Sequence, residues 1–260
     1  MPEVVVKGTK VHYLKINSRI LNPDVRVLFI HGSGGNASLW RKMVNELANE
    51  YESLAISLPG HGESQGEGMK SISSYREFLI DFFDALGLEH VVLVGHSMGG
   101  GIILDFALRY PEKLKGIILI GTGARLRVLP EALEILRKMA DGLMEPKFEP
   151  WAFAENASQE VLAEGEKEWA KTPPQVRYND MIACDKFDFM GEIEKIHLPA
   201  LIVCGRQDRL TPVKYSEFMN NRIAGSKMEI IEGAGHMLML EAPHGLSEVI
   251  LNFLRSLPNP

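Results

Sequence analysis

Short apolar runs of strand length alternate along most of the chain with stretches whose apolar residues recur at helical spacing. A β-hairpin is predicted first, with strands at residues 4–6 and 11–16 around the turn at residues 7–10. Further strands are predicted at residues 25–30, 54–58, 91–94, 116–120, 201–204 and 227–231. Helices are predicted at residues 39–47, 73–86 and 97–110, and from about Pro243 to the end. Because parallel strands need crossover helices, this order predicts an α/β fold with a mostly parallel sheet covered on both faces.

One long stretch of the chain lacks strand patterns. From residue 124 to residue 197 the sequence consists of helix-like pieces punctuated by prolines. We expect this helical insertion to lie outside the sheet, as a cap or lid, with residues 1–123 and 198–260 forming the core domain. Sites in open α/β sheets form at the carboxyl ends of strands, and the insertion leaves from such an end.

Composition narrows the class of protein. The 260 residues are 45% hydrophobic and carry a net charge of −6 without a block of like charges, so we expect no nucleic-acid partner. Cys184 and Cys204 lie in no metal-ligand or disulfide pattern, and no metal is expected. No run has the length of a signal peptide or a membrane span. We expect a cytoplasmic protein without stable membrane association, either a monomer or a small homo-oligomer.

The stretch GHSMGG, residues 95–100, follows the predicted strand at residues 91–94 and opens a predicted helix. It matches Gly-x-Ser-x-Gly, the pattern of a nucleophile elbow, in the strand-to-helix context that the pattern requires. Gly95 and Gly99 would supply the clearance for a sharp turn around Ser97. A tight turn with a capping serine is the alternative, and the pattern alone does not decide between the two.

A nucleophilic serine needs a base and an acid that orients it. Of the eight histidines, His236 is the favoured base, because it follows the last predicted strand in a glycine-containing loop. Asp208 follows the preceding strand in the same way and is the favoured acid, although a structural role in starting the next helix is possible at this position. The order Ser97, Asp208, His236 is that of one hydrolase fold.

Such chemistry also needs two N–H groups that bind the developing oxyanion. The backbone N–H of Met98, directly after the serine, is one candidate. The second should come from the loop HGSGG, residues 31–35, because its strand is expected to neighbour the strand of the serine.

With HGSGG, PGHGES, GHSMGG, GRQDRLTP and GAGHMLMLEAP in this order, the chain resembles the α/β-hydrolase fold superfamily over nearly its whole length. The resemblance implies an eight-stranded sheet, a triad of Ser97, Asp208 and His236, oxyanion donors at Ser33 and Met98, and a helical cap inserted after the sixth strand. It further implies that His31 and His96 anchor the oxyanion loop and the elbow by hydrogen bonding. The family's usual aspartate before PGHG is Ser57 here, and His61 is interpreted as a loop-packing residue.

Serine at the elbow argues against the superfamily members that attack through a carboxylate, the haloalkane dehalogenases and epoxide hydrolases. We therefore predict a cofactor-free carboxylesterase acting on small to medium acyl or aryl esters. A C–C bond hydrolase, a lactonase or a perhydrolase with the same triad remains an alternative. Two further alternatives are a hydroxynitrile lyase that pairs a lysine with the triad and a slowly hydrolysing ligand receptor.

The substrate pocket is the least defined feature. Leu210 and Met237, each close in sequence to a triad residue, are predicted to line it together with Trp151. The insertion has further aromatic and flexible apolar residues, for which packing is the favoured interpretation of each one. They are Phe148, Phe153, Trp169, Tyr178 and Met181.

Overall fold

The computed structural model of the chain describes residues 2–16 and 22–258. The strands are β1 (Glu3–Val6), β2 (Thr9–Lys15), β3 (Asn22–Ile30), β4 (Tyr51–Ile56), β5 (Val91–His96), β6 (Leu114–Ile120), β7 (Ala200–Gly205) and β8 (Lys227–Ile231). The α-helices are α1 (Arg41–Leu47), α2 (Ile72–Leu86), α3 (Met98–Arg109), α4 (Pro130–Ala140), α5 (Gln159–Trp169), α6 (Pro174–Lys186), α7 (Val213–Asn220), α8 (Leu238–Glu241) and α9 (Pro243–Ser256).

The strands form one sheet of eight in the order β1-β2-β4-β3-β5-β6-β7-β8. The pairs β1/β2 and β2/β4 are antiparallel, and the remaining pairs are parallel. Gly95 pairs with Ile30 on one side of β5, and His96 pairs with Ile120 on the other. The carboxyl ends of β3, β5 and β6 therefore lie side by side. The mostly parallel α/β sheet predicted from the sequence is confirmed.

Helices cover both faces of the sheet, and the alternation of side chains along each strand divides the core in two. On one face Leu28 and Leu93 pack with residues of α2 and α3, such as Phe82. On the other face Val27 and Val92 pack with residues of α1 and α9. These side chains are completely buried, which explains why the central strands read as almost continuous apolar runs.

Residues 124–197 contain α4, α5 and α6, and their one β feature in the described structure is an isolated bridge between Arg125 and Asp188. The insertion leaves the sheet after β6 and returns at β7. It attaches to the core mainly through α6, which buries Val176, Ala183 and Cys184, whereas α4 buries no residue.

Two local differences from the predicted elements have simple causes. The helix predicted at residues 39–47 is a 3-10 helix, Ala37–Trp40, followed by α1, because the Asn36 side chain accepts a hydrogen bond from Ser38 N–H and starts the helix early. The four-residue helix α8 was not predicted, since one turn is too short to show periodicity. Within the described residues, none of the helices has both the length and the apolar composition needed to cross a membrane.

Candidate active site

Ser97 stands at the turn between β5 and α3 in a conformation that non-glycine residues rarely adopt, with φ 51° and ψ −117°. Its backbone is held from both sides. The Ser97 N–H donates to the Ile120 carbonyl at 2.9 Å, and its carbonyl accepts from the Thr122 hydroxyl at 2.7 Å. Strain of this kind persists where the surroundings over-determine it, and it is concentrated at functional sites.

The glycines beside Ser97 are needed for close backbone approach. A Cβ atom on Gly95 would lie 2.5 Å from the Gly99 carbonyl oxygen, and a Cβ on Gly99 would lie 2.5 Å from that of Ile30. Both neighbours are backbone atoms that no rotamer change can move. Among the described residues Ser97 makes no side-chain capping hydrogen bond to α3, so the alternative of a capped turn does not hold, and the role of Ser97 as a nucleophile stays a prediction.

Asp208 and His236 follow β7 and β8, and their side chains meet. His236 Nδ1 lies 2.8 Å from Asp208 Oδ2, and both residues are about 5% exposed or less. The other carboxylate oxygen accepts the backbone N–H groups of Leu210 and Thr211, and the Thr211 hydroxyl donates to Oδ2 at 2.7 Å. Burial alone would raise the pKa of Asp208, but the nearby His236 and the hydrogen bonds from Thr211 outweigh it and hold that pKa well below its usual value.

This contact sets the tautomer of His236. A carboxylate only accepts, so Nδ1 carries the proton of the neutral ring and Nε2 has the free lone pair of a base. Asp208 does not cap α7, because its carboxylate is occupied within its own turn and the N-cap position, Pro212, has no side-chain cap.

His96 connects the elbow to the loop of His236. Its Nε2–H donates to the His236 carbonyl at 2.9 Å, and the two imidazole rings are 4.5 Å apart. Burial, and then the proximity of His236, lowers the pKa of His96 well below its ordinary value, so His96 is neutral and keeps this donor in place. In the described part of the chain the Ser97 hydroxyl makes no hydrogen bond to His236. Bonds of this kind often tighten only when substrate binds.

The loop after β3 lies against Ser97, since a Cβ on Gly32 would be 2.9 Å from Ser97 Cβ. His31 fixes its start: Nδ1–H donates to the Gly32 carbonyl at 2.8 Å, and Nε2 accepts Leu58 N–H at 3.0 Å. Burial, followed by the nearby His61, lowers the pKa of His31 to about 3, so this neutral arrangement persists.

The backbone N–H groups of residues 33–35 differ in whether they donate a hydrogen bond within the protein. Gly35 N–H donates to the Gly32 carbonyl at 3.1 Å, and Gly34 N–H donates to Asp180 Oδ2 at 2.9 Å. The Ser33 N–H has no acceptor among residues 2–16 and 22–258. Met98 is the first residue of α3, and its N–H therefore has no intrahelical acceptor. Two unused donors thus flank the serine.

Glu241 is a site residue that the sequence reasoning missed. Its carboxylate accepts three backbone N–H groups, from Ala154 in the insertion and from Gly235 and Met237 beside His236. It holds the His236 loop and ties the insertion to it. The signal available in the sequence was a carboxylate five residues after His236, directly after the apolar run MLML in GAGHMLMLEAP.

The predicted pocket residues lie at the surface or at its edge. Trp151 is 54% exposed and Leu210 is 41% exposed, while Met237 is partly buried. A cleft of about 530 Å³ lies elsewhere, beside α5 and the start of α1, with Lys42 and Glu164 in its wall and none of the predicted site residues. The pocket assignment stays a prediction.

Other aromatic residues of the insertion pack together, as favoured from the sequence. Phe148 makes edge contacts with Phe153 and Trp169, at centroid distances of 6.0 and 5.9 Å. Phe153 also packs against Gly165 of α5, and the Arg177 guanidinium lies 3.9 Å from the centre of the Trp169 ring. These contacts form a small core inside the insertion.

In the described residues no cluster of three or more His, Cys, Asp or Glu could hold a metal ion. The side chains gathered at the strand ends are instead a serine, a histidine and a carboxylate with two free N–H groups nearby. This set suits acyl transfer through a serine nucleophile.

The family model described as alpha/beta hydrolase fold matches residues 25–243 of the chain. The protein therefore belongs to the α/β-hydrolase fold family.

Similar proteins narrow the class further. The chain is 29% identical over 256 residues to a putative 2-succinyl-6-hydroxy-2,4-cyclohexadiene-1-carboxylate synthase of Bacillus subtilis, with 91% of this chain and 92% of the relative covered. It is 27% identical to a 2-hydroxy-6-oxo-2,4-heptadienoate hydrolase of Pseudomonas putida, with 88% of each chain covered. A solved structure of a thermophilic esterase is 33% identical, with a TM-score of 0.80 and 98% and 96% of the two chains covered. The similarities to the heptadienoate hydrolase and to the esterase support a hydrolase.

Proposed function

We propose that the protein is a carboxylesterase that works through an acyl-enzyme on Ser97. The observation that carries the proposal is the hydrogen bond from His236 Nδ1 to the ionised, buried Asp208, which leaves Nε2 free to act as a base at the end of the sheet where Ser97 stands. The similarity to a thermophilic esterase supports ester substrates.

In the proposed reaction, Ser97 Oγ attacks the acyl carbon and His236 Nε2 takes the hydroxyl proton. Asp208 stabilises the resulting imidazolium through the Nδ1 hydrogen bond. The N–H groups of Ser33 and Met98 bind the oxyanion, and His236 then protonates the leaving alcohol. A water molecule, deprotonated by His236, releases the acid and restores Ser97.

We further propose that residues 124–197 act as a cap over this site. The insertion leaves β6 at the sheet edge where Ser97 stands, and it contacts the His236 loop directly, because His236 N–H donates to the Ala152 carbonyl at 2.8 Å. Aromatic side chains of this segment would then face acyl or aryl groups of the substrate. The small molecule itself is the proposed partner, and no cofactor enters the reaction.

The test is ester hydrolysis by matched serine variants. Ser97→Ala should lower kcat on a short-chain nitrophenyl ester by about 10⁶-fold, since the triad acts as a unit. Ser74→Ala, on the exposed side of α2, should behave as wild type. A fluorophosphonate should label Ser97 in the wild type and nothing in Ser97→Ala. Ester hydrolysis retained by Ser97→Ala would refute the assignment.

A second candidate is hydrolysis of a 2-hydroxy-6-oxo-dienoate, favoured by the similarity to a hydrolase of that name. Loss of the visible colour of such a substrate, measured beside a series of nitrophenyl esters of increasing acyl length, separates the two. A faster reaction on the dienoate than on every ester would replace the carboxylesterase proposal.

A further inference from the structure

A carboxylate of the insertion reaches the loop that carries the proposed oxyanion donor. Asp180 lies on α6 and is completely buried. Its Oδ2 accepts Gly34 N–H at 2.9 Å and lies 2.8 Å from His61 Nε2, and its Oδ1 accepts the Tyr75 hydroxyl at 2.5 Å. Three separate core segments thus meet on one side chain: the loop after β3, the loop after β4, and α2.

The hydrogen-bond roles around Asp180 are determined by its neighbours. The Tyr75 oxygen already accepts Met69 N–H at 2.9 Å, so the phenolic proton points to Asp180. Burial, and next Asp180, raises the pKa of Tyr75 well above its usual value, so this proton stays in place. His61 Nδ1 lies 3.0 Å from the Pro59 carbonyl and must donate to it, and its Nε2 lies 2.8 Å from Asp180 Oδ2.

A buried carboxylate is costly unless its oxygens are hydrogen-bonded, and this one is fully supplied by its three partners. Its bond to Gly34 N–H is charge-assisted and therefore stronger than a bond between neutral groups. Gly34 has φ +68°, in the left-handed region, so the direction of its N–H is a specific feature of the loop.

Other groups of the insertion hold the same loop. The Thr172 hydroxyl donates to the Gly35 carbonyl at 3.4 Å, and the Asn36 amide donates to the Glu168 carbonyl at 3.5 Å. The Arg177 side chain packs directly over Gly34, 3.0 Å from where a Cβ would stand. Asp180 is the one among these that bonds the N–H next to Ser33.

We propose that Asp180 is a positioning residue for the oxyanion hole. By bonding the Gly34 N–H, it fixes the peptide between Ser33 and Gly34 and so restricts rotation of the preceding peptide, which carries the unbonded Ser33 N–H. The helical insertion would then contribute to the chemical step as well as to substrate binding. This inference rests on the proposed function, because it needs an oxyanion at Ser97.

The test compares Asp180→Asn with Asn179→Ala. Asparagine keeps the size of Asp180 but replaces one acceptor oxygen by a donor, so the three partners can no longer all be satisfied. Asn179 is the adjacent buried residue and also bonds the insertion to the core, through the Glu67 carbonyl at 2.9 Å, without touching the oxyanion loop. It is therefore a matched control for attachment of α6.

The readouts are kcat and KM for a short-chain nitrophenyl ester, and the Kd values of a trifluoromethyl ketone and of the product acid. The ketone adds to Ser97 and forms a tetrahedral oxyanion, whereas the acid does not. Asp180→Asn should lower kcat and weaken ketone binding, each by roughly 10- to 100-fold, because deleting one oxyanion donor outright costs about 10² to 10³. KM and the Kd of the acid should stay within about twofold, and Asn179→Ala should resemble wild type in all four.

A folded Asp180→Asn enzyme with wild-type kcat and wild-type ketone binding would overturn the inference, as would equal weakening of ketone and acid. If Asp180→Asn does not fold, Tyr75→Phe decides: it removes one donor from Asp180 without touching the loop, and ketone binding should weaken severalfold with the Kd of the acid unchanged. If Tyr75→Phe binds the ketone as tightly as the wild type does, the inference about Asp180 is overturned. Absence of ester hydrolysis in the wild type would instead contradict the proposed function.

Discussion

Two buried neutral histidines should make this protein sensitive to mild acid. His31 is completely buried and His96 is 3% exposed. Each neutral ring donates a hydrogen bond to a backbone carbonyl and so anchors a loop of the site. The pKa of His31 is about 3, and that of His96 is well below its ordinary value, in both cases through burial first. In the unfolded chain both side chains titrate near pH 6.5.

The sign of the effect follows from these pKa values. Below about pH 6.5 the unfolded chain binds protons at both positions and the folded protein does not, so acid favours unfolding. The stabilising contribution is complete above about pH 6.5 and is lost as the pH falls toward the folded pKa values. Between about pH 7.5 and about pH 5, His31 alone should lower the free energy of unfolding by about 2 kcal/mol, and His96 should lower it further in the same direction. This is a large part of the usual 5–15 kcal/mol of a domain.

Urea unfolding at several pH values measures the effect as the slope of the free energy of unfolding against pH. Near pH 5.5 His31 should add about 1.2 kcal/mol per pH unit to this slope, and His96 should add to it with the same sign. His31→Asn retains a donor for the Gly32 carbonyl and removes the titrating ring, so its slope should be smaller by about that amount. His244→Asn is the control, since that histidine is 80% exposed on α9.

An unchanged slope in His31→Asn would refute the reasoning, because the buried imidazole would then not be the group that takes up the proton. A slope lowered equally in His244→Asn would also refute it, since the effect would then not depend on burial of the histidine.

Three further variants probe the site. Asp208→Asn should lower kcat by about 10⁴ at neutral pH, because the tautomer of His236 is no longer held, and activity near wild type would contradict the proposed role. Gly99→Ala places a Cβ 2.5 Å from the last carbonyl oxygen of β3 and should lower kcat/KM by about 100-fold, whereas Gly191→Ala, with nothing within 4 Å, should not change it. Glu241→Gln loses an acceptor for three backbone N–H groups and should lower the free energy of unfolding in urea by about 1–3 kcal/mol, and an unchanged value would show that these bonds are dispensable.

The local pattern of apolar and polar residues was sufficient to predict most of the fold. Strands buried on both faces appear as continuous apolar runs, and the helices beside them carry one apolar stripe, so β7 and the start of α9 lie within one residue of the predicted positions. The elbow pattern was also readable, because its glycines and its serine lie within five residues of the chain. The candidate residues at strand ends followed from the same reasoning, since parallel strands bring their carboxyl ends to one edge.

The tertiary structure decided what supports those residues. Asp180 is 146 positions from the Gly34 N–H that it accepts, and His96 bonds the carbonyl of a residue 140 positions away. Neither contact leaves a local periodic signal, because each partner is an ordinary backbone group and the pairing depends on how the insertion and the loops pack. A sequence determines which side chains stand at the ends of strands through short-range pattern. Long-range packing determines which N–H group each buried carboxylate accepts. The physical reason is that a buried polar group without a hydrogen-bond partner costs free energy, so only packings that pair these groups are stable.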